Sequence, residues 1–254
     1  MSTESDLEAL VELSCELGRP ELDYAILGEG NTSMICDADT FWIKASGQSL
    51  RTVDQSSFVA VNLGAVLALV DSGADDNATL QEQILTTLCP GSTGRPSIEV
   101  MLHALALTKG EARVAGHTHP TALLSVLCSA CGREALDGRL FPDEIVICGP
   151  ASAYVPYAAP GLPLARATRA ALGAYRDTYG APPKVIFLEN HGMIALGQTP
   201  AEVLRITAMC VKAARVLLGT FAMGGPRFLS PDEIGHIAGR PDEHYRRRVF
   251  EGRP

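Results

Sequence analysis

Short segments rich in β-branched and aromatic residues alternate along this chain with longer segments of helical periodicity. Strands are predicted at residues 32–36, 41–45, 145–148 and 184–188, at the start of 56–70, and in the segment that ends in HTHP. Helices are predicted at residues 5–17, 79–89, 97–108, 120–131, 163–179 and 200–221, and in the later part of 56–70. Mixed strands and helices in one chain predict an α/β fold, a sheet covered by helices on both sides.

Length and charge narrow the class of protein. With 254 residues, 46% of them hydrophobic, the chain is expected to form one α/β domain spanning residues 1–254. The net charge of -8 argues against a nucleic-acid-binding surface, because such surfaces need clustered Lys and Arg. Residues 246–248 form the one basic cluster, but they follow Asp242 and Glu243, which predicts the solvated face of a terminal helix.

Targeting signals and cysteine spacing indicate the compartment. The first ten residues, MSTESDLEAL, have neither a basic nor an apolar signal region, and no later segment reads as a membrane span. The seven cysteines are scattered, without the regular spacing of a secreted disulfide framework. We therefore expect a cytoplasmic protein with reduced cysteines. Cys128 and Cys131 are predicted to lie in the core at the end of an apolar helix.

The segment AGHTHP places two histidines one residue apart at the end of a predicted strand. In an extended strand residues i and i+2 project from the same face, so His117 and His119 are expected to point to one spot beside Pro120. A chelating pair is one interpretation. The other is a hydrogen-bonded core histidine next to an exposed one.

Two further segments contribute polar side chains at element ends. His191 follows the apolar strand near 184–188, and Glu99 lies one turn inside a helix for which Ser97 is the predicted N-cap. Three neutral imidazoles with an open position are typical of a catalytic divalent metal, Zn²⁺ first, with Mn²⁺ and Co²⁺ as alternatives. A carboxylate beside such an ion can be a fourth ligand, a general base, or each in turn.

Five segments occur in the same order as the signature segments of the class II aldolase/adducin family: GEGNTS, KASG, PSIEVMLH, AGHTHP and LENHGMIALG. The chain resembles that family from about residue 28 to residue 210. The resemblance implies a three-layer α/β/α sandwich with a mixed or mainly antiparallel sheet, assembled as a homotetramer with zinc between adjacent subunits. It also implies His117, His119 and His191 as metal ligands, with Glu99 binding the resting metal and acting as the base.

Glycine turns and a helix end are interpreted as an anion pocket. Gly30, Asn31, Ser46 and Gly47 lie in turns whose backbone N–H groups can face phosphate or carboxylate oxygens, and Ser97 is expected to add helix-end donors. The family resemblance implies that these residues bind a small anionic or polyhydroxylated substrate. The alternative is that the glycines only make tight turns.

The sequence departs from the sugar-phosphate aldolases at one position. Those enzymes have two serines before the acidic residue, whereas Ser97 is followed here by Ile98. One phosphate-directed hydroxyl is missing, which favours a carboxylate or a different phosphate pose. Lys44 is the candidate that would compensate for the missing hydroxyl. Glu rather than Asp at position 99 argues against the sugar-phosphate 4-epimerase branch.

A tyrosine is the expected proton donor. The segment YVPYAAPG resembles the family stretch that supplies one to the pocket, and Tyr157 fits better than Tyr154. The alternative for this tyrosine is a role in structural packing. Tyr245 in the C-terminal segment is a second candidate. His103, four residues after Glu99, is interpreted as a partner behind the ligands or as a core residue, and His236 and His244 are given no role.

The leading hypothesis is a metal-dependent lyase that makes or breaks a carbon–carbon bond in a small ketose, sugar phosphate or hydroxy or keto acid through a zinc-held enediolate. A decarboxylase or dehydratase using the same enolate chemistry is the nearest alternative. A non-catalytic adducin-like interaction module is a third hypothesis. Adducin-type members lack the metal ligands, so the presence of His117, His119, His191 and Glu99 favours an enzyme.

Overall fold

A computed structural model describes residues 3–71 and 77–240, whose strands form one seven-stranded sheet. The strands are β1 Asn31–Ile35, β2 Thr40–Lys44, β3 Phe58–Asn62, β4 Val114–Thr118, β5 Ala153–Val155, β6 Val185–Leu188 and β7 Gly192–Gly197. Their order across the sheet is β3-β2-β1-β4-β7-β6-β5. Neighbours are antiparallel except β5 and β6, which are parallel. The predicted mixed, mainly antiparallel sheet is confirmed.

Helices cover both faces of this sheet. One face carries α2 Leu63–Val70, α3 Asn77–Leu85, α4 Val100–Thr108 and α8 Leu162–Tyr179. The other carries α1 Thr3–Leu17, α5 Thr121–Leu127, α6 Gly132–Asp137, α7 Pro142–Cys148 and α9 Pro200–Phe221, with α10 Pro231–Ala238 packed on α7. The three-layer α/β/α architecture is therefore confirmed.

Alternation along the strands divides the apolar side chains between two cores. In β4, Val114 packs on the α9 side and Ala115 on the α4 side, and in β7 Met193 and Ile194 divide in the same way. Successive side chains of a strand point to opposite faces, so a central strand covered on both sides is apolar at every position. His117 follows Ala115 by two residues and is also fully buried, which makes it an exception that needs an explanation.

The strand predicted at 145–148 is wrong, because these residues form the end of α7. Pro142 occupies the first turn of this helix, and Asp143 and Glu144 follow in the same turn, where acidic side chains favour the helix N-terminus. The β-branched residues of EIVIC suggested a strand, but these start signals and packing against α9 outweigh that preference. The edge strand is instead β5, which the sequence did not predict.

Two helix boundaries also differ from the prediction. The helix predicted from Ser97 begins at Val100, because residues 97–99 form a turn in which the Val100 N–H donates to the Ser97 carbonyl. The helix predicted over 120–131 ends at Leu127, and a turn follows before α6. Cys128 and Cys131 lie on that turn and are exposed, so their predicted core position is wrong. The terminal helix predicted around residues 246–248 lies outside the described residues.

Among residues 3–71 and 77–240, no helix has the length and apolar character needed to cross a membrane.

Candidate metal-dependent active site

The three predicted histidines meet where strands β4 and β6 end and strand β7 begins. His117 lies in β4, His119 follows that strand, and His191 lies in the turn between β6 and β7. Because β4 and β7 are antiparallel neighbours, with Thr118 opposite Met193, the end of β4 faces the start of β7. The three ring centroids are 4.6, 5.0 and 5.1 Å apart.

Two glycines permit this close approach. A Cβ atom on Gly192 would lie 2.5 Å from the Thr118 carbonyl oxygen and 2.7 Å from Cδ2 of His119. Gly30 has a φ of +71°, and a Cβ there would lie 2.7 Å from the His117 carbonyl oxygen. Both contacts are shorter than carbon and oxygen tolerate, so the sequence needs glycine to bring these chain segments together.

Hydrogen bonding and burial keep two of the imidazoles neutral. His117 Nδ1 donates to the Met193 carbonyl at 2.9 Å, which leaves the lone pair on Nε2, 2.9 Å from His119 Nε2. Burial lowers the pKa of His117. Burial, together with His117 and His191, lowers the pKa of His119 to about 3. Neutral imidazoles whose other nitrogen is held by a carbonyl are the form in which histidine binds metals.

The nitrogen positions fit a divalent ion. One ligand nitrogen from each histidine lies within 4.8 Å of the other two. Zn²⁺–N bonds of about 2.0–2.1 Å in a tetrahedral site place two nitrogens roughly 3.4 Å apart. That distance is about 0.5 Å longer than the 2.9 Å between His117 Nε2 and His119 Nε2 and lies within the 4.8 Å limit. Small side-chain movements therefore allow all three histidines to bind one ion.

Glu99 faces the histidine cluster from the start of α4. Its Oε1 is 3.1 Å from His191 Nε2, and its Oε2 is 3.6 Å from His117 Nε2. Burial would raise the pKa of Glu99, but His117, His191 and a hydrogen bond from Asn31 outweigh burial and hold that pKa well below its ordinary value. The side chain is therefore a carboxylate at neutral pH.

A buried chain of hydrogen bonds stands behind Glu99. The Asn31 amide donates to Glu99 Oε2 at 2.7 Å, and Asn31 Oδ1 contacts His103 Nε2. On the other side of the ring, His103 Nδ1 is 2.6 Å from Ser33 Oγ. The sequence suggested His103 as a partner behind the site, but Ser33 was missed because its only signal is a position in β1, opposite Ala115.

The residues proposed for anion binding do not all lie in one place: some contact Glu99 and others lie in separate turns. Asn31 and Ser97 lie beside the carboxylate: Ser97 Oγ accepts from the Asn31 amide at 3.3 Å and from the Glu99 N–H at 3.2 Å. Ser97 is therefore a turn residue and not the N-cap of α4, a position that Glu99 occupies. Gly47, with a φ of +81°, makes an open turn whose Cβ position contacts nothing within 4 Å.

Ser46 and Ile98 line one cavity of about 70 Å³ together with Arg95, Pro96, Gln81, Ile84 and Leu85. The Ser46 N–H donates to the Arg95 carbonyl at 2.8 Å, so this backbone donor is already paired. The residues that line the cavity thus include a serine, an arginine and several apolar side chains. The sequence analysis did not single out Arg95, although its position two residues before Ser97 was a usable signal.

Lys44 is buried at the end of β2, near this region. Its ammonium donates to the Gln48 carbonyl. Burial lowers the pKa of Lys44, and the negative charge of Glu99 opposes that effect. Lys44 is only 2% exposed, so its positive charge acts on Glu99 with little screening by solvent.

The tyrosine candidates differ in position. Tyr157 is 62% exposed, and its N–H donates to Glu189 at 2.8 Å, which ties its loop to the turn that carries His191. Tyr154 lies in β5 with the Arg133 guanidinium 5.3 Å above its ring. Tyr245 is outside the described residues. Tyr157 is thus the tyrosine whose loop is connected to the histidine cluster.

A three-layer α/β/α domain with a three-histidine cluster and a buried carboxylate defines a class of metal-binding α/β proteins. The chain belongs to the class II aldolase and adducin N-terminal domain family, whose model matches residues 8–218. Class II aldolases use a divalent metal, and the three-histidine group of this chain is consistent with that property.

One curated relative matches this chain in sequence, and solved structures match it in fold. The chain is 25% identical over 195 residues to the uncharacterized oxidoreductase YuxG of Bacillus subtilis, covering 74% of this chain and 26% of YuxG. It therefore spans about a quarter of that relative. YgbL from Klebsiella pneumoniae superposes with a TM-score of 0.70 at 20% identity, covering 93% of this chain and 99% of YgbL. An L-fuculose 1-phosphate aldolase superposes with a TM-score of 0.70 at 18% identity, covering 94% of this chain and 96% of that aldolase.

Proposed function

We propose that this protein is a divalent-metal-dependent lyase of the aldolase type. The observation that carries the proposal is the convergence of three imidazoles and one buried carboxylate at the ends of β4 and β6. His117, His119 and His191 would hold the ion, with Zn²⁺ preferred and Mn²⁺ or Co²⁺ as alternatives. When bound, such an ion withdraws electron density from a carbonyl and makes the adjacent C–H acidic.

Glu99 is the proposed proton carrier. Its depressed pKa means that it enters the reaction as a carboxylate, ready to accept a proton from the carbon next to the carbonyl. In the direction of bond formation Glu99 would take this proton, and Tyr157 is our candidate to donate a proton to the aldehyde oxygen as the new carbon–carbon bond forms. Cleavage is the reverse: the tyrosinate form of Tyr157 would take the hydroxyl proton, the bond would break to an aldehyde and an enediolate, and protonated Glu99 would give its proton to the enediolate carbon.

The substrate is proposed to be a small anionic or polyhydroxylated molecule. The Asn31 amide and the Ser97 hydroxyl contact Glu99, and Ser46 lines the cavity beside Ile98. We include Gly30 and Gly47 as backbone donors in the neighbouring turns. Ile98, which lines the cavity, supplies carbon where a second hydroxyl would assist a phosphate. Arg95 lines the same cavity and offers a guanidinium that can pair with a carboxylate or a phosphate, so the preference rests on Ile98. We therefore favour an unphosphorylated or carboxylated ketose donor.

We extend the proposal to a homo-oligomer, with a homotetramer as the expected form. Three large side chains are unusually exposed on loops close to site residues: Ile26 at 57%, Leu27 at 84% and Tyr157 at 62%. Ile26 and Leu27 precede Glu29, whose carboxylate is 4.0 Å from His119. Apolar exposure of this kind favours contact with another copy of the chain.

The test uses solvent deuterium. The metal-loaded enzyme is incubated with dihydroxyacetone or its phosphate in deuterated water, without an aldehyde. Mass spectrometry then measures the deuterium content of the recovered donor. We expect α-deuterium in at least one donor, since proton removal needs only the ion and Glu99. Glu99→Gln should slow this exchange by roughly 10²-fold or more while Glu8→Gln, on an exposed part of α1, leaves it unchanged.

The same samples separate the competing hypotheses. Exchange confined to the phosphorylated donor would contradict the role given to Ile98. Absence of exchange with every donor, together with carbon dioxide release from a β-keto acid or a hydroxyaromatic acid, would replace the aldolase by a decarboxylase. Absence of both reactions would favour a dehydratase or a non-catalytic role.

A further inference from the structure

An imidazole sits in the middle of an otherwise apolar buried helix. All residues of α4 from Val100 to Leu107 are buried, and His103 is the one ionisable side chain among them, 0% exposed. Burying an imidazole is costly unless both ring nitrogens find partners. His103 has two, Ser33 and Asn31, both on β1, and both are buried as well.

The charge of Glu99 fixes the direction of every hydrogen bond in this chain of side chains. An ionised carboxylate only accepts hydrogen bonds, so the NH₂ group of Asn31 must face it, as the 2.7 Å contact shows. Asn31 Oδ1 then faces His103 and requires a donor, which places the imidazole proton on Nε2. His103 Nδ1 is left with a lone pair, which accepts from the Ser33 hydroxyl at 2.6 Å.

This direction makes His103 responsible for the orientation of Asn31. With the proton on Nδ1, the ring would present a lone pair to Oδ1 of Asn31, and the amide would be free to rotate by half a turn. The rotated amide would place its oxygen against the carboxylate of Glu99, and two acceptors in contact repel each other. A buried network with one direction reversed is therefore strongly disfavoured.

We propose that His103 is a positioning residue, which acts through Asn31 to hold Oε2 of Glu99 and so keeps the carboxylate facing the histidine cluster. The proposal rests on the proposed role of Glu99 in proton transfer. His103 itself exchanges no proton with the substrate, because Asn31 and Ser33 occupy both of its nitrogens. Burial also lowers the pKa of His103 to about 3, which keeps the ring neutral across the range in which enzymes work.

The hydrogen-bond direction is tested first, without any reaction. In metal-free protein labelled uniformly with ¹⁵N, the His103 ring is assigned by comparison with the His103→Gln variant and the Asn31 amide from its own ¹⁵N signal. We expect the Nε2–H tautomer, a strongly downfield proton on that nitrogen, and slow solvent exchange of the Asn31 side-chain amide. The Nδ1–H tautomer would overturn the proposal, whatever the enzyme catalyses.

The consequence for Glu99 is tested with three variants. His103→Leu removes the donor to Asn31, His103→Gln retains an N–H at a similar reach, and Leu105→Ala disturbs the same helix about 200° away around its axis. We expect His103→Leu to lower the turnover number for donor exchange roughly 10- to 10²-fold with little change in KM, because misplacing a reacting group slows the chemical step. His103→Gln should restore most of the turnover.

A purely structural role predicts a different pattern. His103→Leu and Leu105→Ala would then lose stability and show the same turnover per bound metal, which would overturn the proposal. If the wild-type protein puts no deuterium into any donor, the proposed function fails. The tautomer of His103 in the wild type and the exchange rate of the Asn31 amide in His103→Leu then still decide whether the chain of hydrogen bonds exists. Retained protection of the Asn31 amide in that variant would contradict it.

Discussion

Two buried polar clusters in this molecule are satisfied in opposite ways. Arg139, 1% exposed, lies under α7 and α9, where its Nε donates to the Gly149 carbonyl at 2.9 Å and one Nη to Ser152 Oγ at 2.8 Å. Glu144 completes the cluster at 3.7 Å and accepts from the Leu140 N–H. Each polar group there points to a partner of its own within the protein.

The histidine cluster has the opposite arrangement. His117 Nε2 and His119 Nε2 are 2.9 Å apart, and Oε1 of Glu99 faces His191. These ring nitrogens and the carboxylate have one another as partners, and a cation that takes up their electron pairs can replace these contacts. The comparison teaches that burial of a polar group does not by itself identify a functional site. The direction in which its donors and acceptors point separates a structural cluster from a binding one.

Removing Arg139 should have the largest effect on stability. Arg139→Met leaves Glu144 buried without its cation and removes the donors to Gly149 and Ser152, so we expect a loss of about 3–5 kcal/mol in the free energy of unfolding. Urea denaturation gives this value. The double variant Arg139→Met/Glu144→Gln should recover part of the loss, because no uncompensated charge remains.

Metal bound per folded chain provides the second half of this test. We expect Arg139→Met, measured at a temperature where it is folded, to retain the metal content of the wild type. A proportional loss of metal would show that the two clusters are not independent and would break the comparison.

A methyl group at Gly192 should affect the histidine cluster and stability together. The added Cβ would meet the Thr118 carbonyl and His119, so Gly192→Ala is expected to cost roughly 1–3 kcal/mol of stability and to weaken metal binding. Gly173→Ala is the matched control, since its Cβ meets nothing within 4 Å on α8 and a helical alanine should add about 0.5–1 kcal/mol. Equal metal affinity in both variants would refute the close-approach argument.

Disrupting a partly exposed ion pair should change the free energy of unfolding least, and this change should depend on pH. Lys184 Nζ is 2.8 Å from Glu202. Burial would raise the pKa of Glu202, but Lys184 and the Gln198 N–H outweigh it and lower that pKa. Its stabilising contribution is therefore present above the unfolded-state pKa and is lost as the pH falls through the folded-state pKa.

We expect Glu202→Gln to cost about 1 kcal/mol at neutral pH, far less than Arg139→Met, because solvent screens the pair. The difference from wild type should shrink as the pH is lowered toward about 3. Denaturant titrations across this range provide the measurement, and a difference that stays constant with pH would contradict the ion-pair explanation.

Local signals predicted the parts of the site that depend on one chain segment. The spacing of His117 and His119 follows from the period of a strand, and the apolar run before His191 indicated the end of a strand. The long helix predicted at 200–221 is α9, with Thr199 as its N-cap accepting from the Glu202 N–H. These features need no knowledge of distant contacts.

Contacts between distant segments lay beyond such signals. Asn31 and Glu99 are 68 residues apart, and only the pairing of β1 with β4 and the packing of α4 brings the amide to the carboxylate. For the same reason the sequence suggested Ser97 as a helix cap, although its hydroxyl is held by Asn31 and by the turn before α4. The prediction for residues 145–148 was wrong for a different reason, because packing against α9 outweighed the strand preference of their β-branched side chains.

Metal content is the most direct test of the central claim, that the histidine cluster is a metal site. Wild-type protein and the variants His117→Ala, His119→Ala and His191→Ala are loaded with Zn²⁺, freed of excess ion and analysed for metal per folded chain. His236→Ala, on the exposed face of α10, is the matched control. We expect about one ion per chain in the wild type and the control, and loss of most of it in each of the three variants. Equal metal in all five proteins would contradict the claim.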